Sequence, residues 1–245
     1  ISYKNGDIPL FNDSTKGIAP TTEQLMQYAK NLKFKIQNSK LVDSGYRKIS
    51  NENYECIVDI GHIGADYIAG HAHSDTFNFE LRLDGKPFIV DTGLSTYETC
   101  ERRTVERSTV SHNTVEVNGK NQSEVWGGFR VANRATVIDF KEDDNSIEAT
   151  HNGYRPILHT RKWSFKEGRV VIEDNLNNNS EGVARLHFHP DVTKEKILSH
   201  ISMSSDRLKF GEYLYSPKFN TKLTAIVISI KFRENLKIEI LNVCN

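Results

Sequence analysis

Cysteine is scarce. Cys56, Cys100 and Cys244 are odd in number and widely scattered. That excludes a disulfide framework, and the lack of any CxxC pair removes the usual thiolate metal sites. Free buried thiols are expected instead. A surplus of one charge is also missing: 32 Lys+Arg face 32 Asp+Glu, for a formal net charge of +0. A general nucleic-acid binder carries a clear basic excess, so no nucleic-acid partner is expected. A polyanionic sugar needs only a local basic groove, to which the total is blind. No apolar run approaches the roughly 20 residues of a membrane helix, and no signal peptide is visible. The chain opens at Ile1, and YKNGDIPLFNDS reads like the middle of a longer protein. There is no GxSxG, P-loop, dinucleotide fingerprint or HExxH, which removes most hydrolase, kinase and dehydrogenase readings. No fixed-period repeat is present, which argues against a propeller or solenoid.

What is there is a long succession of short strands. Residues 1–20 are rich in Gly, Pro, Asn and Asp and read as an extended loop. Thr21 or Thr22 then caps a helix carrying Leu25, Met26, Tyr28, Ala29 and Leu32 at roughly helical spacing, expected to dock by its apolar face. From about Tyr46 the pattern is β. Residues 54–60 form a run rich in branched side chains. In residues 76–83, Phe77, Phe79, Leu81 and Leu83 alternate with Asn78, Glu80 and Arg82, which predicts a half-buried antiparallel strand. Asp84-Gly85 supplies a hairpin turn, and residues 87–90 return to deliver Asp91. Residues 92–105 read as a polar surface loop. Asn118-Gly119 is a second hairpin signal, and β runs follow at 130–140, 146–150, 161–165, 170–174, 184–189, 224–230 and 236–241. Such a pattern means a sandwich or a barrel.

Three histidines and one aspartate carry possible chemistry. On a strand, His71 and His73 would share a face about 6.6 Å apart. One metal could take both, or one could ligate while the other works beside it. The Asp84-Gly85 turn predicts that Asp91 lies near the start of the preceding strand, close to His73. His112 precedes another strand and is followed by Asn113. Two imidazoles and a carboxylate are a donor set that zinc accepts, with a fourth position for water. Spacing alone does not bring His112 to the other two. His187 and His189 read as structural. His151 and His159, flanking NGYRP with Tyr154 and Arg155, could line a sugar site but read as exposed loop residues. Trp126 and Trp163 read as core or platform residues.

GHAHSDTFNFELRLDGKPFIVDTG, followed by ERSTVSHNTVEVNGKNQSEVWGGFRVANRA, resembles the heparinase II/III-like polysaccharide lyases. GDIPLFNDS, HTRKWSF and ARLHFHPD add weaker likeness. The resemblance implies an all-β fold, a large antiparallel β-sandwich of the supersandwich kind. Residues 51–245 would form it, and residues 1–50 would be a short helical remnant and linker from a toroid domain that is otherwise missing. It implies that His73, Asp91 and His112 ligate a structural zinc. His71 would face the cleft between the two domains and assist catalysis or substrate binding. The implied reaction is β-elimination on an acidic, uronic-acid-containing polysaccharide, in a bacterial periplasmic or secreted protein. The family's other catalytic groups lie on the toroid, so this fragment is expected to be nearly inactive alone. Two other classes stay open: a carbohydrate-binding or structural sandwich without chemistry, and a hydrolase that uses the metal directly.

Overall fold

The computed structural model describes residues 1–35 and 44–242, so Cys244 lies outside the described residues. Helix α1 (Thr22–Asn31) begins where the sequence places it. The Thr21 hydroxyl accepts from Gln24 N while the Gln24 side chain accepts from Thr21 N, which satisfies two donors at the helix start. No residue of α1 is buried. Leu25, Met26, Tyr28 and Leu32 of the face expected to dock stay exposed.

Strands β1 (Tyr46–Ser50), β2 (Tyr54–Asp59), β3 (Phe79–Leu83) and β4 (Lys86–Ile89) form one antiparallel sheet in sequence order. Strand β1, the last five residues of the part set apart as 1–50, pairs with β2 from Tyr46↔Asp59 to Ser50↔Glu55. Asp84 and Gly85 both take positive φ, 49° and 72°, as a two-residue hairpin turn requires. Helix α2 (Glu101–Arg107) and strand β5 (Val115–Val117) follow. Then come β6 (Glu124–Trp126) and β7 (Arg130–Ala132), a hairpin of their own. Next are β8 (Val137–Glu142), β9 (Ser146–Tyr154), β10 (Ile157–Lys166), β11 (Arg169–Leu176) and β12 (Glu181–His187). Helix α3 (Lys194–His200), β13 (Ile201–Met203), β14 (Leu208–Tyr215), β15 (Leu223–Arg233) and β16 (Asn235–Leu241) complete the order.

Six strands, β13-β16-β11-β10-β9-β8, make one layer. The sheet β14-β15-β12-β5 is joined to the first sheet by a bridge between Ile89 and Phe188. β9, β10 and β16 alternate buried and more open positions, the mark of strands with one face on the core. Phe77, Phe79, Leu81, Trp163, Ile172, Leu186, Ile228 and Ile238 meet in one hydrophobic cluster. The fold is an all-β sandwich with short helices.

Several expectations need correction. β3 is buried on both faces rather than one. Tyr3, Leu10 and Phe11 lie buried, and Glu80 is consumed by them: Tyr3 OH donates to its Oε2 at 2.7 Å and Leu10 N to its Oε1 at 2.8 Å. The Arg82 guanidinium stacks 4.2 Å from the Tyr3 ring centre. The opening loop is therefore a cover for the first sheet. Residues 92–105 are not a surface loop, since Leu94 and Ser95 are buried and α2 buries Arg103, Glu106 and Arg107. Cys56 is a free buried thiol as expected, whereas Cys100 is free but exposed. Trp163 is core, and Trp126 is exposed.

His151 and His159 are fully buried on β9 and β10, not exposed in a loop. His151 Nε2 meets His159 Nδ1 at 3.0 Å, and His159 Nε2 meets Asp174 Oδ1 at 2.7 Å. Burial alone would raise the Asp174 carboxyl, but the Arg161 charge and the hydrogen bonds from His159 and Arg161 hold it down at about 2. Burial pushes both His151 and His159 below the ordinary imidazole range. All three groups bind fewer protons when folded than when unfolded. Their contribution is complete above about pH 6.5 and falls with acidification, first through the histidines, then through Asp174 between about pH 4 and 2. Relative to a variant with His151 and His159 both replaced by glutamine, the parent's urea-unfolding free energy is expected to decline from pH 7 to pH 4, since the opposite pull of the raised Asp75 and Glu80 carboxyls is common to both. A flat difference would contradict the buried cluster.

Candidate catalytic and metal site

The segment between β2 and β3 carries His71 and His73. It is irregular rather than a strand, so the shared-face spacing is not what relates the two imidazoles. One carboxylate relates them. Asp13 Oδ2 lies 2.8 Å from His71 Nδ1, and Asp13 Oδ1 lies 2.8 Å from His73 Nε2. The two histidines differ sharply in exposure: the His71 side chain is 71% exposed and that of His73 is 0%. Tyr97 and Phe129 flank His71, each with its ring centre 5.9 Å away. A groove lined by Asn12, Tyr46, His62, Ala69, His71 and Ala72 opens beside it.

Behind His71 the site is buried. The rings of His73 and His112 stand 5.3 Å apart, centre to centre. Asp91, delivered by the return from β4, lies 2.7 Å by Oδ2 from His112 Nδ1. The same oxygen accepts from Asn78 Nδ2, and Asp91 Oδ1 accepts from Gly93 N at 2.9 Å. Gly93 is needed for that turn. Its φ is +71°, and a Cβ there would sit 2.1 Å from Ser216 O. The sequence expectation brought Asp91 to His73. The structure brings all three predicted residues into one buried cluster, with Asp91 bonded to His112. His187 packs at the edge, its N and Nδ1 both on Asn113 Oδ1. His189 lies apart, 3.4 Å from Asp191.

Charge in the cluster is unbalanced. Burial pushes His73 down to about 4, against its Asp13 hydrogen bond. Burial also opposes charge on His112, but Asp91, Asp75 and Asp59 together raise it. Burial above all pushes Asp59 and Asp75 well above the usual carboxylate range, aided by the Asp75 charge at Asp59 and the Asp91 charge at Asp75. His73 Nδ1, His112 Nε2 and Asp75 Oδ2 have no hydrogen-bond partner among the described residues. Buried orphans of this kind are costly unless something fills the gap. Orphaned imidazole nitrogens among carboxylates suit a divalent cation in kind. As the side chains stand, no group of three or more His, Cys, Asp or Glu among the described residues is arranged around one point.

Sequence reasoning missed four residues of this site. Asn78 holds Asp91, and Asn113 ties three strands beside His112. Arg103 donates to both Asp13 oxygens, and Asp13 itself lies in the opening segment. Only Asn113 had a signal, its place next to His112.

A search of curated proteins finds no match. The sequence profile described as Heparinase II/III-like, C-terminal, matches residues 37–238. Among solved structures, the chain is similar to the heparan sulfate lyase HepC from Pedobacter heparinus, with a TM-score of 0.72 and 16% identity over 98% of this chain and 44% of that one. It is also similar to a heparinase III, with a TM-score of 0.71 and 15% identity over 100% of this chain and 46% of that one. A third, the heparinase III BT4657 gene product, gives a TM-score of 0.70 and 14% identity over 95% of this chain and 43% of that one. At such identities the likeness is one of fold, and the chain spans less than half the length of each. The match over most of its length shows that this chain belongs to the heparinase II/III-like C-terminal family.

Proposed function

We propose that this chain is the β-sandwich part of a polysaccharide lyase that cleaves uronic-acid-containing glycans by β-elimination. The observation that carries the reading is the contrast within one cluster: His71 is open to a groove while His73 and His112 are wholly buried. One imidazole is available to a substrate, and the others stand behind it. In β-elimination a base removes the proton next to the uronate carboxylate, and an acid protonates the departing glycosidic oxygen. His71 Nδ1 is occupied by Asp13, so Nε2 is the atom it can offer. Tyr97 and Phe129 would form the wall against which a sugar ring rests.

Zinc would be held by His73, Asp91 and His112, exchanging the Asp91–His112 contact for the metal. Its role would be structural, neutralising the buried carboxylates and fixing the segment that bears His71. The remaining catalytic groups would come from a separate helical toroid. The isolated chain would then bind metal yet release few unsaturated products. A periplasmic or secreted location fits an acidic polysaccharide substrate, and no helix among the described residues is long and apolar enough to cross a membrane.

The test is the full-length protein against heparin, heparan sulfate, alginate and capsule-type uronans, followed by near-ultraviolet absorbance of unsaturated products. His71→Ala is expected to lower kcat by about 10²–10⁴-fold. His73→Ala should lower the zinc content found by elemental analysis. Sugar binding without turnover would favour a binding module. Hydrolysis abolished by chelator would favour a metal-dependent hydrolase.

A further inference from the structure

The opening segment supplies a residue to which the reading above gives no role. Leu10 and Phe11 are both buried, and Leu10 N is fixed to Glu80. Asn12 then turns the chain with a φ of 55°, a conformation asparagine tolerates better than most residues. Its Oδ1 accepts from His73 N at 3.0 Å. Asp13, its side chain 4% exposed, is thereby set between His71 and His73. Arg103 completes the arrangement. Its Nη2 lies 2.8 Å from Asp13 Oδ2, its Nη1 contacts Asp13 Oδ1, and its Nε donates to Gly128 O at 3.0 Å. The guanidinium is sandwiched near the Tyr97 and Phe129 rings, 5.2 and 5.3 Å from their centres.

We propose that Asp13 is the positioning residue of this site, fixing the orientation and tautomer of both histidines so that His71 presents an outward lone pair at Nε2 and His73 an inward one at Nδ1. An ionised carboxylate can only accept hydrogen bonds. Every imidazole nitrogen that touches it must therefore carry the proton. Arg103 keeps the carboxylate ionised in spite of burial, which on its own would favour the neutral acid. His71 Nδ1 and His73 Nε2 are consequently the N–H atoms. The opposite nitrogens are left as acceptors: His71 Nε2 has no partner among the described residues, and His73 Nδ1 is a buried orphan. A single side chain thus sets the exposed imidazole and the buried one together. The use of those lone pairs rests on the lyase reading, but the tautomers do not.

Nitrogen-15 NMR of the histidine side chains in the full-length protein, above the imidazole titration range, reads the tautomers directly. His71 is assigned by its loss in His71→Gln. The expected result is Nδ1–H at His71 and Nε2–H at His73. Asp13→Asn replaces one acceptor oxygen with a donor NH₂, so at least one imidazole must change tautomer. With the lyase active, kcat should fall by about 10–100-fold, as for other partners that orient working histidines, with KM little changed. A salt-bridge partner serving Arg103 alone would move neither tautomer. An Nε2–H tautomer at His71 in the unmodified protein overturns the proposal, without any variant having to fold. So do unchanged tautomers in Asp13→Asn, or an unchanged kcat beside an active parent. A parent inactive on every uronan sinks the reaction but leaves the tautomers to decide the role of Asp13.

Discussion

Replacing Arg161 with methionine lowers the stability of the chain by about 3–5 kcal/mol, the cost of leaving a buried charge without its partner. Arg161 is fully buried on β10. Its Nε and Nη2 grip Asp174 at 2.7 and 2.9 Å, and its Nη1 donates to Phe77 O at 3.0 Å and Asn113 O at 2.6 Å. It spans the sandwich from the six-stranded layer to the two segments that bear the site. Methionine fills much of the space but supplies none of the donors. Asp174 keeps only His159, and two buried carbonyls are stranded. Urea-unfolding midpoints at neutral pH measure the loss. Pairing Arg161→Met with Asp174→Leu should recover part of it, since two matched apolar groups avoid the unpaired charge. A loss below about 1 kcal/mol would place Arg161 with ordinary surface ion pairs and defeat this account.

Asn113→Ala is expected to be nearly as damaging, at about 3 kcal/mol or more, because three buried backbone groups lose a partner at about 1–3 kcal/mol each. Asn113 Nδ2 donates to Phe79 O and Val90 O, both at 2.9 Å, and Oδ1 accepts from His187 N at 2.7 Å. The side chain stitches β3, the end of β4 and β12 into one surface at the residue next to His112. Asn113→Asp keeps the shape but turns an oxygen toward two carbonyls, so it should be at least as harmful. Thermal unfolding of the two variants separates the donors from simple packing. An alanine variant that melts with the parent would mean that water replaces the amide.

Much of the architecture was legible because it rests on local signals. The Asp84-Gly85 turn set the β3–β4 pairing, and that pairing carried Asp91 to the neighbourhood of the histidines. The Gly127-Gly128 turn between β6 and β7, both residues at positive φ, is a local signal of the same kind. Other features were hidden because a distant segment decides them. Glu80 and Arg82 look like the wet face of a strand until Tyr3, Asp7 and Leu10 fold over them. Arg103 looks like a surface charge until Asp13 reaches it. His151 and His159 sit in a polar stretch, and only the pairing of β9 with β10 beneath Phe77 explains their burial. Asp13 itself has no periodicity or turn rule to mark it.

Phe77 sits in the turn just before Asn78 and β3. It is a bulky residue held at a φ of +68°, a region such side chains avoid, at a cost on the order of 1–3 kcal/mol. Its ring is gripped edge-on by His151, His159 and Trp163, with centres 4.9, 5.5 and 5.8 Å away. Glycine would relax the backbone but empty the space the ring fills among His151, His159 and Trp163. Any other large residue would keep that space filled and the discomfort with it. Position 77 therefore has no neutral neighbour in sequence space, and the bend that aims Asn78 at Asp91 is guarded against drift from both directions.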